Sequence, residues 1–402
     1  MRVVGDLQLH SKYALATSKE MDLEHMAEGA KAKGLNLLGT GDFTHPKWFA
    51  ELREKLEPIP STGLYSYKGM TWMLAGEVST VYEQEGKTRK VHHLIYSPEL
   101  EVVAQINEVL SKVGNLSSDG RPVLKGIDSA ELVELVTSVS SGVVVIPAHC
   151  WTPWFGVFGS RSGFDSLKEC YQDQATKIFA IETGLSSDPQ MNWRLSSLDK
   201  VGLVSNSDAH SPNPWRLGRE ANVFEFEKLS YRAVFDAIRL KDRSRFLQTI
   251  EVDPAYGKYH FTGHKKCGVS LPPREALRMG NKCPKCGKRL TVGVLQRVEE
   301  LADRPEGFTP NDVIPFRSLL PLYEVISFAT GVNRLYAKAV LEQQDRLIRA
   351  FGSELAVLLD VSLEDLLRHS KQVVAQAIVA VRENRLKFTP GYDGVYGVPS
   401  LQ

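Results

Sequence analysis

Along the first half of this chain, short hydrophobic runs each close on a cluster of His, Asp or Glu. Seven such runs are Val3 to His10, Leu35 to Asp42, Trp72 to Ser79, Val91 to Tyr96, Val143 to His149, Ile178 to Glu182 and Gly202 to His210. Short, largely β-branched runs bounded by turn signals read as strands buried on both faces, as in a parallel sheet. Asp22 to Lys33 and Ser129 to Val139, which lie between runs, carry helical spacing. Strand alternating with helix over roughly 200–250 residues predicts an α/β fold, a closed or nearly closed βα barrel with its active site at the strand C-termini. One run alone reads equally well as a buried strand with a polar cap. Seven ending alike point to metal-binding side chains gathered at one mouth.

Further along, the helix predicted over Tyr231 to Leu240 and the polar segment Lys241 to Arg245 mark a boundary, after which Tyr256 to Val294 reads as a ribbon. Beyond Leu295 the spacing is helical in Leu319 to Phe328, Leu335 to Phe351, Leu355 to Leu367 and Val373 to Val381. The expected organisation is a barrel over residues 1–250, a ribbon over 251–295 and a helical region with a basic, aromatic tail over 296–402. That tail, Arg382 to Gly397, places Tyr392 and Tyr396 among glycines and cations, a composition suited to contact with phosphates or bases. It reads equally as a return strand packed on the barrel.

Composition narrows the class. At 402 residues the chain exceeds a single ordinary core. Hydrophobic residues at 43% and charged residues at 24% are globular values, and no apolar stretch is long enough to cross a bilayer. The amino terminus lacks a basic segment followed by an apolar one, so a cytoplasmic monomer is expected, without membrane association. A formal net charge of +1 neither demands nor excludes nucleic acid. The cysteines number five, an odd count, and three lie close together, favouring metal over disulfides. His264-Lys-Lys-Cys267, then fifteen residues, then Cys283-Pro-Lys-Cys286, match a tetrahedral structural zinc site of one His and three Cys. His260 lies within reach as a substitute for His264, and Cys150 and Cys170 read as small core residues.

Several of the strand-end motifs are similar to those of the polymerase and histidinol phosphatase (PHP) family of metal-dependent phosphoesterases. They are Asp6-Leu-Gln-Leu-His10, Gly76-Glu77-Val78, His93-Leu94, Pro147-Ala-His149 and Ser207-Asp208-Ala-His210-Ser-Pro with Leu217-Gly-Arg219. Adding the cysteine segment, Gly39-Thr-Gly-Asp-Phe-Thr-His45-Pro, Gly293 to Asp303 and Pro390 to Gly397, the chain resembles the endonuclease Q branch nearly end to end. The resemblance implies a distorted (βα)7-type PHP barrel with a zinc ribbon and a C-terminal helical domain. It also implies a DNA repair endonuclease that nicks 5′ to a deaminated base (uracil, hypoxanthine, xanthine) or an abasic site.

Residue by residue, the implied barrel ligands are His10, Glu77, His93, His149, Asp208 and His210, holding two to three ions of zinc, manganese or magnesium besides one structural zinc. Glu77 or Asp208 can bridge two ions, and Glu182 ends a strand at the same mouth as a candidate catalytic or orienting carboxylate. His92 and His93 point to opposite faces of a strand; His93 is favoured as ligand and His92 as a packed histidine. The family opens with His-x-His where this chain has Gln8, an amide being the weaker ligand. Where the family shows Thr-Asp-His this chain has Gly41-Asp42-Phe43 with His45 after it, so Gln8, Asp42 and His45 complete the candidate set. Such a cluster neutralises an anionic phosphodiester and lowers the pKa of bound water.

Trp151, Trp154, Phe155 and Phe158 crowd a loop after His149, which suits stacking on a base turned out of the duplex or packing beneath the helical region. Arg161, Arg194 and Arg216 are candidate phosphate contacts, and Lys265, Lys266, Lys285, Lys288 and Arg289 form a basic patch on the ribbon. Damaged DNA at the nucleoid is the expected partner. A sliding clamp or helicase is conceivable, though no motif establishes either. A small-molecule phosphatase accounts for the barrel only, and an inactive nucleic-acid-binding module would leave the buried acids and imidazoles without a use.

Overall fold

The computed structural model describes residues 1–332 and 336–401, and each of the seven runs carries a strand: Arg2–Asp6, Leu37–Gly39, Met70–Gln84, Lys87–Ser97, Val144–Pro147, Ala180–Glu182 and Gly202–Val204. The arrangement is mixed rather than parallel. Arg2–Asp6, Leu37–Gly39 and Met70–Gln84 pair in parallel, but Lys87–Ser97 folds back antiparallel on Met70–Gln84, and Val144–Pro147 pairs antiparallel with it in turn. The cause is local. Gln84 pairs with Lys87 across Glu85 and Gly86, both at positive φ (54° and 70°), the mirror-image two-residue turn whose twist suits a hairpin. Consequently the fourth run crosses the sheet in the opposite sense, and its histidines reach the site from mid-strand.

Three strands missed in sequence close the other edge. Ala221–Glu225 pairs antiparallel with Arg2–Asp6 and with Phe246–Glu251, which then takes Phe316–Ser318 as a parallel neighbour. The division expected after residue 250 therefore falls inside a strand, and a segment from the C-terminal part completes the same sheet. Ala180–Glu182 and Gly202–Val204 form a separate parallel pair. A hydrogen bond from Cys150 N to Glu182 O (3.1 Å) ties the pair to the loop after Val144–Pro147, and a bridge between Leu9 and Ala209 ties it to the first strand's loop.

Helices cover this sheet where the spacing placed them. Leu23–Lys33 begins at Asp22, whose carboxylate accepts from His25 N, and buries Leu23, Met26, Ala27 and Ala30 along one face. Ser129–Val139 starts with a reciprocal capping box between Asp128 and Glu131. Tyr231–Arg239 follows as expected. In the C-terminal part, Leu322–Thr330, Lys338–Phe351, Glu354–Leu359, Leu363–His369 and Gln372–Arg382 are helical. The helix expected over Leu355 to Leu367 breaks in two, because Ser362 caps a new start by accepting from Asp365 N. Leu335, the expected start of another helix, lies outside the described residues. The tail folds as a hairpin of Leu386–Thr389 with Val398–Leu401, and Tyr392 bridges Phe261. No helix among the described residues is long and apolar enough to cross a membrane.

Candidate metal centre and its surroundings

Strand register decides which side chains meet. On the hairpin Glu77 faces Leu94, Val78 faces His93 and Ser79 faces His92, so His92 shares a face with Glu77 and His93 takes the other. His92 Nδ1 lies 2.7 Å from Glu77 Oε1 and 3.0 Å from His149 Nε2. His93 instead bonds Thr80 Oγ1 and the Tyr171 hydroxyl, both at 3.0 Å, within the core. The expectation for this pair is thus reversed: His92 enters the group and His93 packs. Burial keeps both imidazoles neutral, pushing each down to about 3.

On the facing side, His10 Nε2 lies 3.0 Å from Asp208 Oδ1 and 3.2 Å from Glu77 Oε2. His210 Nδ1 donates to the Asp208 carbonyl at 2.8 Å. Two groups result, His10 with Asp208 and His210, and Glu77 with His92 and His149; within each, the potential ligand atoms lie within 4.8 Å of one another. Asp42 is not in either. Its Oδ1 sits 2.9 Å from His10 Nδ1 and its Oδ2 accepts from Ser11 Oγ at 2.7 Å, so it orients the His10 ring as carboxylates behind metal-binding histidines do. His45 is also outside, stacked on Tyr13 with ring centroids 4.5 Å apart.

The backbone around these residues is constrained. Asp42, His149 and Asp208 have φ of 47°, 30° and 49°, a left-handed conformation uncommon for residues with a Cβ and concentrated at functional sites. Gly184, itself at φ 62°, could not carry a side chain, since a Cβ there would come within 2.7 Å of His149 Cβ. Glu182 accepts from His149 N and Asn206 Nδ2, both at 2.7 Å, and burial pushes its carboxyl up to about 8. It therefore fixes the His149 loop and does not face the cluster.

Does the pocket suit divalent cations? Glu77 Oε1 and Gln8 Oε1 are buried without an aligned hydrogen bond, although Gln8 Nε2 donates to Glu77 Oε2 at 2.8 Å. Burial opposes charge on Glu77, but Arg121, His92, His10 and His149 outweigh it and hold the carboxyl well below its usual range. Burial likewise opposes charge on Asp208, and His10 and His210 pull it below the carboxylate range. Carboxylate oxygens and imidazole nitrogens facing one another are a donor set that fits zinc or manganese. In the cysteine segment, His264, Cys267, Cys283 and Cys286 form a third group with ligand atoms within 4.8 Å, His264 Nδ1 lying 3.4 Å from Cys286 Sγ. His260 is half-buried outside the group, stacked on Phe261.

Residues 321–385 match the family described as the MJ0043 C-terminal domain. The chain is 35% identical over 264 residues to MJ0043 of Methanocaldococcus jannaschii, an alignment covering 63% of this chain and 32% of that protein, so it spans about a third of that relative's length. It is 28% identical over 412 residues to YqxK of Bacillus subtilis, covering 98% of each. The crystal structure of the novel lesion-specific endonuclease PfuEndoQ from Pyrococcus furiosus matches with a TM-score of 0.89 at 37% identity, covering 100% of this chain and 96% of that one. This chain belongs to the endonuclease Q family. A crystal structure of endonuclease Q in complex with a 27-mer duplex substrate with an abasic lesion at the active site matches equally well, with a TM-score of 0.89 at 36% identity and coverage of 100% and 97%. The endonuclease Q likeness thus runs through the sheet, the cysteine segment and the C-terminal helices alike.

Within this endonuclease Q fold the remaining expected contacts divide. Trp151 and Phe158 are core residues; the indole N–H of Trp151 donates to Asn192 Oδ1 at 2.8 Å, so neither ring can meet a base. Trp154 is 41% exposed, and Phe155 lies on His92 with centroids 4.5 Å apart. Arg194 is buried in an ion pair with Glu299 at 2.7 Å and is not free for a phosphate. Arg161 is exposed. Tyr392 packs over Gly263, whereas Tyr396 is 48% exposed. Arg216 and Tyr396 help line a cavity of about 170 Å³ with Arg219, Tyr256, Tyr323 and Glu324. Of these, Arg219 was quoted in sequence only within its motif, and Tyr256, Tyr323 and Glu324, far from Arg216 in the chain, were not singled out. The sequence reading also missed Arg121, 3.6 Å from Glu77, which a lone cation in a loop gave no reason to single out.

Proposed function

We propose that this chain is a metal-dependent DNA repair endonuclease that hydrolyses the phosphodiester 5′ to deaminated bases (uracil, hypoxanthine, xanthine) or abasic sites. The observation that carries this reading is the pair of facing His/carboxylate groups, joined through the 3.2 Å approach of His10 to Glu77, beside the aromatic cavity. The cavity adjoins the groups on two sides. Arg219 donates to the carbonyl of Ser207 next to Asp208, and Leu185 follows Gly184, which abuts His149. PfuEndoQ's description as lesion-specific and the abasic-lesion complex of endonuclease Q agree with it.

In this reading His10, Asp208 and His210 hold one cation, and Glu77, His92 and His149 another, within a PHP-type barrel whose strand order returns to its start through the Leu9–Ala209 bridge. Zinc, manganese or magnesium bound there would neutralise the phosphodiester and supply hydroxide near neutral pH. His264, Cys267, Cys283 and Cys286 hold one structural zinc in a ribbon between the barrel and the DNA-binding helical region. The cavity reads the base. Deaminated bases share with thymine and guanine a ring N–H beside a carbonyl, where cytosine and adenine carry a ring acceptor beside an amino group. This edge therefore rejects cytosine and adenine and leaves the thymine methyl and guanine amino group to be rejected by fit. Glu324 can accept from that N–H and Arg216 can donate to that carbonyl, while Tyr256, Tyr323 and Tyr396 offer ring faces. A protein acting on DNA in this way would be found in the cytoplasm at the nucleoid.

The test uses end-labelled oligonucleotides with one uracil, hypoxanthine or abasic site, undamaged DNA, and manganese, magnesium or zinc. A single nick 5′ to the lesion, lost in Asp208→Ala, is the expected result. Hydrolysis of small phosphate monoesters without any nick would move the protein to the phosphatase reading, and binding without cleavage would make it an inactive module.

A further inference from the structure

Arg121 is the cation that the metal-centred reading leaves unexplained. It is held in place by its neighbours: Gly120 N donates to Tyr13 O, the hydroxyl of Thr44 donates to Gly120 O, and Ser79 N donates to Pro122 O on the Glu77 strand. Its guanidinium reaches the centre at 3.6 Å from Glu77 Oε1, beyond hydrogen-bond range, with a quarter of the side chain still exposed. Glu77 is its one ion-pair partner among the described residues. On the far side of the same carboxylate stands Gln8, which gives Glu77 Oε2 a hydrogen bond at 2.8 Å. A neutral amide donor on one oxygen and a fixed cation on the other leave Glu77 less free to serve additional ions.

We propose that Arg121 is a built-in positive charge of this centre, occupying the place of a further cation at Glu77 and gripping a non-bridging oxygen of the scissile phosphate. The inference rests on the endonuclease reading for its phosphate. Among the described residues the guanidinium has no partner besides Glu77, and Arg presents its five N–H groups in a planar fork that matches phosphate oxygens, which a compact ammonium does not. Charge aimed at an oxygen in a site walled from water acts most strongly where negative charge develops. The Gln8–Glu77 bond and the Arg121–Glu77 approach then belong to one device: an amide and a guanidinium in place of an imidazole and an ion.

The experiment compares the zinc-loaded parent with Arg121→Ala, Arg121→Lys and the double variant Gln8→His with Arg121→Ala, by metal content from mass spectrometry and by kcat and KM on a uracil oligonucleotide. Arg121→Ala is expected to lose about 100-fold in kcat with little change in KM, keeping the parent's metal content. Arg121→Lys should recover only part, and it keeps the test sound if the alanine variant folds poorly. The double variant should bind one more divalent ion per chain than the parent. Parent-like kcat in Arg121→Ala, or no added ion in the double variant, overturns the proposal. Should the parent itself cut no lesion DNA, the endonuclease reading fails, while the metal counts still judge whether Arg121 stands in for an ion.

Discussion

Lys33 Nζ lies 2.7 Å from Glu354 Oε1, both side chains buried, and this ion pair joins the helix Leu23–Lys33 to the helix Glu354–Leu359, far along the chain. Glu354 also accepts from Leu322 N at 3.1 Å and Gln344 Nε2 at 3.0 Å, so both of its carboxylate oxygens are bonded. Removing one partner strands a charge in the interior, whereas replacing both with apolar groups need not. Glu354→Ala should lower unfolding stability by about 3–5 kcal/mol in denaturant titration. Lys33→Met with Glu354→Leu should recover more than half of that. Equal losses in the single and double variants would show that the contact is not a buried ion pair in solution.

The assignment of His92 and His93 makes opposite forecasts for two adjacent residues. His92→Ala should lower the metal content of the barrel and abolish nicking. His93→Ala should keep the metal and lose about 2–3 kcal/mol of stability, because Thr80 and Tyr171 lose a buried partner. Metal analysis beside thermal unfolding separates them. Loss of barrel metal in His93→Ala but not in His92→Ala would reverse the assignment.

The aromatic loop is split in the same way. Trp151→Ala empties a core position and should cost about 3–5 kcal/mol. Trp154, exposed and set edge-on to Tyr259 with centroids 5.7 Å apart, is available to DNA. Trp154→Ala should leave stability within about 0.5 kcal/mol and weaken binding to a lesion-bearing duplex by several-fold. Unchanged affinity in Trp154→Ala would remove that ring from the interface.

Glu251 gives the protein a pH-dependent stability. The hydroxyls of Thr183, Ser205 and Thr249 donate to its buried carboxylate, yet burial pushes the group from its ordinary 4.5 up to about 8. Burial raises Glu220, beside it, in the same direction. Folding therefore takes up a proton. The stability linked to Glu251 is complete below about 4.5 and is lost as pH rises through about 8. Glu251→Gln should flatten the fall in Tm across that window and leave the variant more stable by several degrees above pH 8. A variant that follows the parent's slope would assign the dependence to other groups.

Much of this protein was legible in the order of its residues. Every apolar run holds a strand, Asp22 and Ser129 mark real helix starts, and His10, Glu77, His149, Asp208, His210 and the four zinc-site candidates are brought together in groups. The strands, helix starts and zinc-site candidates depend on periodicity, capping and motif spacing, set by near neighbours in the chain, whereas the barrel ligands were legible through their likeness to the family's motifs. Tertiary structure alone decided the rest. Choosing His92 over His93 requires the hairpin register, which hangs on a two-residue turn at Glu85 and Gly86, and a shift of one residue exchanges the faces. Asp42 became the orienting partner of His10, Arg194 an ion-pair partner of Glu299, and Trp151 a core ring, because segments distant in sequence cover them. Arg121 and the Glu324 cavity carry no local signature at all. Burial and long-range pairing are properties of the packed chain, and no window of sequence contains them.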